Sequence, residues 1–234
     1  MVLAGVILLA LQACSPAAAS VTCRSIDAIS GDRTFVTGEG NVNLESCDEI
    51  ELMGTMLGDA GLGRLAEMLR GTTRVKTLSL SYVRMTSVGA VALARTIPST
   101  GLARLVINGD DIGDEGCMAI AAALLDRRTV LEDLDLWEAG VTEAGGAALA
   151  GALFRDGASG KGSVLKRLSL YGNSLRDAGA AAIGEALGYN TRLEVVDLGG
   201  NAIGSTGAEA VAQGIHKNAM VRRPTITHAV HGHH

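Results

Sequence analysis

Apolar residues fall in the same order six times along the chain. A pair two positions apart comes first: Ile50/Leu52, Leu78/Leu80, Leu105/Ile107, Leu134/Leu136, Leu168/Leu170 and Val196/Leu198. Polar or aromatic residues separate and follow these pairs, and this period of two predicts a short strand with one buried face. Nine residues after each pair stands a glycine: Gly61, Gly89, Gly116, Gly145, Gly179 and Gly207. Four and eight residues beyond it the chain is apolar again, at Leu65/Leu69, Leu93/Ile97, Ile120/Leu124, Leu149/Leu153, Ile183/Leu187 and Val211/Ile215. At 3.6 residues per turn those positions share one side of a helix. One strand–turn–helix unit is therefore repeated, and units that each leave an apolar side uncovered must stack.

Two finer features recur. Asp59, Ser87, Asp114, Asp177 and Ser205 stand two positions before the glycine, where they predict caps for the first-turn N–H groups of their own helices; Glu143 in the fourth unit suits the helix dipole instead. The position after the glycine is mostly small (Ala90, Cys117, Gly146, Ala180, Ala208, with Leu62 the exception), which predicts a helix start lying close to the strand layer.

The glycine spacings are 28, 27, 29, 34 and 28 residues. With this length, Leu-Lys-Arg-Leu-Ser-Leu-Tyr-Gly-Asn-Ser-Leu (165–175) and Leu-Glu-Val-Val-Asp-Leu-Gly-Gly-Asn-Ala-Ile (193–203) resemble the ribonuclease-inhibitor-like class of leucine-rich repeat. The resemblance covers residues 47–227. It implies an α/β solenoid of six to seven repeats, a horseshoe with a parallel sheet inside and helices outside. The family's turn asparagine is present at Asn173 and Asn201, while Thr55, Val83, Asp110 and Ala139 replace it elsewhere, so an asparagine ladder is expected to be incomplete in the first four units. Val221 to Ile226 fits the strand frame once more, with Pro224 at a core place. Proline lacks an N–H, which predicts a terminal edge strand.

The chain has 234 residues, 47% of them hydrophobic and only 3% aromatic, with 31 glycines; thin stacked layers suit such a composition. The net charge of −5 argues against anionic partners, and with no one element gathering the Lys and Arg residues, no nucleic-acid partner is expected. Val2 to Leu11 is continuously apolar. With Ala17 and Ala19 in the small-residue places before a cut, residues 1–19 resemble a secretory signal, and Leu11-Gln-Ala-Cys14 resembles a lipobox in which Cys14 would be lipidated. Export, secreted or lipid-anchored, follows, with membrane attachment only if Cys14 carries lipid. A buried N-terminal helix or the remnant of a preceding repeat are the alternatives. Residues 20–46 read as an N-terminal cap, closed by a disulfide between Cys23 and Cys47 if the chain is exported. Cys117 reads as a core residue.

Arg155-Asp-Gly-Ala-Ser-Gly-Lys-Gly-Ser163 lacks the first glycine and the preceding strand of a phosphate-binding loop, so it reads as the insertion that lengthens one repeat. The histidines at 228, 231, 233 and 234 form a tail without companion acids or cysteines, and residues 228–234 are expected to be disordered. No cofactor or metal is implied and no catalytic constellation is legible. Strand alternation instead turns Glu51, Met53, Ser79, Ser81, Val106, Asn108, Asp135, Trp137, Ser169, Tyr171, Asp197 and Gly199 toward the concave side. Trp137, the chain's single tryptophan, and Tyr171 occupy equivalent places in adjacent units, with Tyr82 one residue past that column and Asp135, Glu138 and Asp197 adding acid. Together with Asn108 these seven are the candidate binding residues of a non-enzymatic protein-interaction module. Two other readings share the repeat class: a GTPase-activating protein, with Arg84, Arg176 and Asn173 as the nearest rim residues, or a fragment of a larger receptor.

Overall fold

The computed structural model describes residues 22–24, 47–154, 163–218 and 220–225. The expectations for residues 1–19, Cys14, the 155–162 insertion and the histidine tail lie outside them. Among the described residues eight strands form a single parallel sheet in sequence order: β1 (Thr22–Arg24), β2 (Glu49–Met53), β3 (Thr77–Ser81), β4 (Arg104–Asn108), β5 (Asp133–Trp137), β6 (Arg167–Ser169), β7 (Val195–Asp197) and β8 (Arg223–Thr225). Between successive strands from β2 onward lie α1 (Gly58–Leu69), α2 (Ser87–Ala94), α3 (Gly113–Leu124), α4 (Glu143–Phe154), α5 (Arg176–Leu187) and α6 (Ser205–Lys217). A short 3-10 turn, Ile97–Ser99, follows α2. Among the described residues no helix is long and apolar enough to cross a membrane.

The strand pairs and helix stripes meet in one continuous core. Leu78, Leu80, Leu105, Ile107, Leu134 and Leu136 are wholly buried against Leu65, Leu93, Ile120 and Leu149. β1 lies within residues 20–46, the expected N-terminal cap, and pairs with β2 with Cys23 opposite Ile50. Cys47 is buried and disulfide-bonded, and the side chain of Cys23, its expected partner, lies outside the described residues. At the other end β8 pairs with β7 with Pro224 in register with Val196. Val196 is buried, but Pro224 is exposed, so the core place that the frame assigned to Pro224 is not filled as one.

The acids before the glycines do not cap their own helices. Asp59 lies in the first turn of α1 and accepts bonds from the N–H (2.9 Å) and hydroxyl (2.6 Å) of Thr86 and from Gly89 N–H (3.0 Å), all in the next unit. Asp114 repeats this on Thr142 and Gly145, and Asp177 on the N–H groups of Gly204 and Gly207. Ser87 and Ser205 are first helical residues whose N-caps are Thr86 and Gly204. The ladder thus joins odd units to the even units after them. Turn geometry alternates in step. Odd units place a left-handed residue three positions before the glycine (Gly58, Gly113, Arg176), and even units place it five before (Arg84, Gly140, Ala202). The structural period is two units, not one.

The small residues have a different cause from the one expected. A Cβ on Gly116 would stand 2.8 Å from Ala90 Cβ, and one on Gly145 would stand 2.7 Å from Asp114 Oδ1 and 3.2 Å from Cys117 Cβ. Neighbouring helices, rather than helix and strand, make the close approach.

Turn asparagines also act across units. Asn173 accepts from Ala139 and Val141 N–H and donates to the carbonyls of Leu136 and Leu170. Asp110 accepts from Val83 and Met85 N–H at 3.0 and 2.9 Å. Units two and four therefore have their turn donors satisfied from the next unit, so the ladder is less broken than the missing asparagines imply. Thr55 Oγ1, by contrast, is buried without a partner among the described residues. A second ladder runs behind the helices: Asn190 and Asn218 donate to Leu153 and Leu187 carbonyls and accept from the N–H groups that lead into β7 and β8.

Candidate functional site

On the concave side the strand register sets up columns of side chains. The first runs Thr77, Arg104, Asp133, Arg167, Val195, Arg223; the second Ser79, Val106, Asp135, Ser169, Asp197, Thr225. The third begins Ser81, Asn108, Trp137, and Tyr171 continues it, since Glu138 N–H bonds to the Tyr171 carbonyl at 2.9 Å. Not every outward position is open: Ser81, Val106 and Gly199 are buried where the columns crowd.

Trp137 and Tyr171 meet edge to face, with ring centroids 6.1 Å apart at 61°. Tyr171 is 36% exposed and Trp137 partly so. Asn108 is directly opposite Trp137 in register, and Asp135 lies two residues before Trp137 on β5. Glu138 and Tyr82 follow their strands in left-handed backbone, at φ 49° and 54°, where other units place Gly54, Gly109, Gly172 and Gly200. Their side chains lean over the next unit's glycine: Tyr82 covers Gly109, and Glu138 Cγ lies 2.8 Å from where a Cβ on Gly172 would stand. Six of the seven candidates thus form one patch across four strands, and Asp197 sits apart on the far side of Ser169.

Three polar atoms in that patch are buried without a partner among the described residues: Asn108 Oδ1, Asp135 Oδ1 and Trp137 Nε1. Burial pushes the Asp135 carboxyl above its ordinary value. The Ser169 hydroxyl bond opposes this, the charges of Asp133 and Asp197 add to it, and Arg104 opposes. Beside it, Arg104 and Arg167 share Asp133 Oδ2 at 3.6 and 3.5 Å. These residues line an open cleft of about 270 Å³. Sequence reading missed the arginine column because only strand pairing aligns Arg104, Arg167 and Arg223. Arg84 and Arg176 stand at the opposite rim, where Arg176 is 3.7 Å from Glu143, and Asn173 is committed to its turn. Among the described residues no group of His, Cys, Asp and Glu is arranged to hold a metal ion.

The family described as "Leucine Rich repeat" matches residues 104–121 and 189–212. Ribonuclease inhibitor of Sus scrofa is 32% identical over 143 residues, 60% of this chain and 30% of that protein. The chain is similar to leucine-rich-repeat proteins of the ribonuclease-inhibitor-like class, and its sheet and helices repeat as such a solenoid does. Ribonuclease inhibitor of Mus musculus is 31% identical over the same shares, so the chain spans about 30% of the length of the relatives it matches. Among solved structures, "Leiomodin-1 Actin-Binding Site 2 (ABS2)" aligns with a TM-score of 0.40 at 17% identity, over 74% of this chain and 83% of that one.

Proposed function

We propose that the protein is a non-enzymatic binding module that grips a protein partner on its concave face through Trp137, Tyr171, Asn108, Asp135, Glu138, Tyr82 and Asp197. The observation that carries this is the aromatic pair on the open side of the sheet, set among three polar atoms that lack hydrogen bonds among the described residues. Large aromatics anchor interfaces, and an unpaired buried polar atom costs about 1–3 kcal/mol until something satisfies it. Likeness to ribonuclease inhibitors supports the same reading, because those relatives carry the name of inhibitors of another protein.

The test is Trp137→Ala with Tyr171→Ala, followed by thermal melting and by capture of the partner from native-host extract. The melting temperature is expected to change little while capture falls by about tenfold or more. A collapsed fold, or capture as strong as that of the unaltered chain, would remove the aromatic pair from the site.

A further inference from the structure

The first concave column holds an incomplete charge ladder. Arg104, Asp133 and Arg167 alternate, with both arginines drawn to one oxygen of Asp133. The next place by register is Val195, and beyond it stands Arg223, which has no ion pair among the described residues. An acid at Val195 would bridge Arg167 and Arg223 as Asp133 bridges Arg104 and Arg167. The second column shows the inverse vacancy: Asp135 and Asp197 flank the small, uncharged Ser169, and one oxygen of Asp135 has no partner among the described residues. Arg–Val–Arg thus lies beside Asp–Ser–Asp in one cleft. Two residues along the strand and one strand across separate Val195 from Ser169, a diagonal of about 8 Å.

Resting on the concave-face reading above, we propose that this cleft takes an extended segment of the protein partner carrying one basic and one acidic side chain two residues apart. Alternate side chains of an extended peptide share a face at about 7 Å spacing, close to that diagonal. The partner's carboxylate sits over Val195 between Arg167 and Arg223, and its ammonium or guanidinium sits over Ser169 between Asp135 and Asp197. Every ionic group in the cleft then faces its opposite. Either charge without the other leaves like charges facing across the cleft, which is how such a site rejects wrong partners.

Trp137, unique in the chain, reports from the next column. The experiment titrates its fluorescence, alongside calorimetry, with acetylated and amidated Lys-Gly-Glu and Glu-Gly-Lys, and with Lys-Gly-Lys and Glu-Gly-Glu as controls. At least one mixed-charge peptide is expected to bind about fivefold tighter than either like-charged one, and to weaken as salt rises. Val195→Asp fills the anionic seat from within and Ser169→Lys the cationic seat. Each is expected to weaken the mixed peptide about tenfold while circular dichroism stays unchanged. Equal binding of all four peptides, or affinity unmoved by both variants, overturns the proposal. If the mixed peptides fail while partner capture still requires Trp137 and Tyr171, the paired-charge idea falls and the concave-face reading stands. Capture that survives loss of both aromatics removes the broader reading instead.

Discussion

Single side chains in this chain act mostly on the neighbouring unit. Asp114 is the clearest case, because three donors of the following unit converge on its carboxylate. Burial raises its proton affinity, but the bonds from the Thr142 hydroxyl, Thr142 N–H and Gly145 N–H outweigh this, and the carboxyl titrates below its ordinary value. A carboxyl whose folded value is depressed stabilises above its unfolded value and stops doing so as pH falls through the folded one. Asp114→Ala is therefore expected to cost about 1–2 kcal/mol in urea unfolding at neutral pH. The gap to the unaltered protein should begin to narrow below about pH 4 and close once pH has fallen through the depressed folded value. A pH-independent gap would mean that the loss is one of packing. Cys117 marks the opposite extreme: burial, with Asp114 nearby, pushes its thiol up to about 12, so it stays an unreactive core group at neutral pH.

Glu138 presents a conflict between backbone and function at the same scale. Its left-handed φ costs a side-chain-bearing residue about 1 kcal/mol, and the equivalent places in four other units are glycine. Strain of this kind concentrates where a side chain has work to do. Glu138→Gly should raise stability by about 1 kcal/mol in urea unfolding and weaken partner capture. A variant that gains stability with capture intact would show Glu138 to be dispensable for binding.

At the scale of the element, helix stacking sets the tolerance of each glycine. A Cβ on Gly145 would meet Val141 Cγ1 at 2.6 Å and Asp114 Oδ1 at 2.7 Å, whereas one on Gly151, in the same helix, meets nothing within 4 Å. Gly145→Ala should cost about 1–3 kcal/mol through overpacking. Gly151→Ala should instead stabilise by about 0.5–1 kcal/mol, by helix propensity. Thermal melts of the two variants moving the same way would refute this account. Strands, helices and their register were legible in the sequence because apolar periodicity is local to each unit. The true target of Asp59 or Asp114 was not, since a residue that resembles a cap for its own first turn is bonded 27–31 positions away. The candidate site was legible to a similar depth. Alternation put Asn108, Trp137 and Tyr171 in one column, but left-handed backbone at Tyr82 and Glu138, and the pairing of Arg104 with Asp133, depend on turn geometry and strand neighbours.

Over the whole molecule, the two-unit period should govern which deletions the solenoid survives. Stability in such arrays is a sum of unit and nearest-neighbour terms, so a deletion costs mainly what it does to the new junction. Removing residues 77–132 joins the first unit to the fourth. Asp59 then stands where Asp114 stood, before Thr142 and Gly145, and Asn173 still serves the turn at Ala139 and Val141. Removing residues 104–132 alone joins the second unit to the fourth. Ser87 replaces Asp114 in front of Thr142, and the turn donors of Val83 and Met85 lose Asp110. The longer deletion is therefore expected to melt as one cooperative unit, and the shorter one to be less stable despite keeping more core. Each lost acceptor leaves donors unpaired at about 1 kcal/mol apiece, a deficit that the additional buried leucines must offset. Chemical denaturation of the two chains separates the cases. A shorter deletion more stable than the longer one would mean that odd and even units are interchangeable, and that the ladder from Asp59 to Asp177 follows the packing rather than directing it.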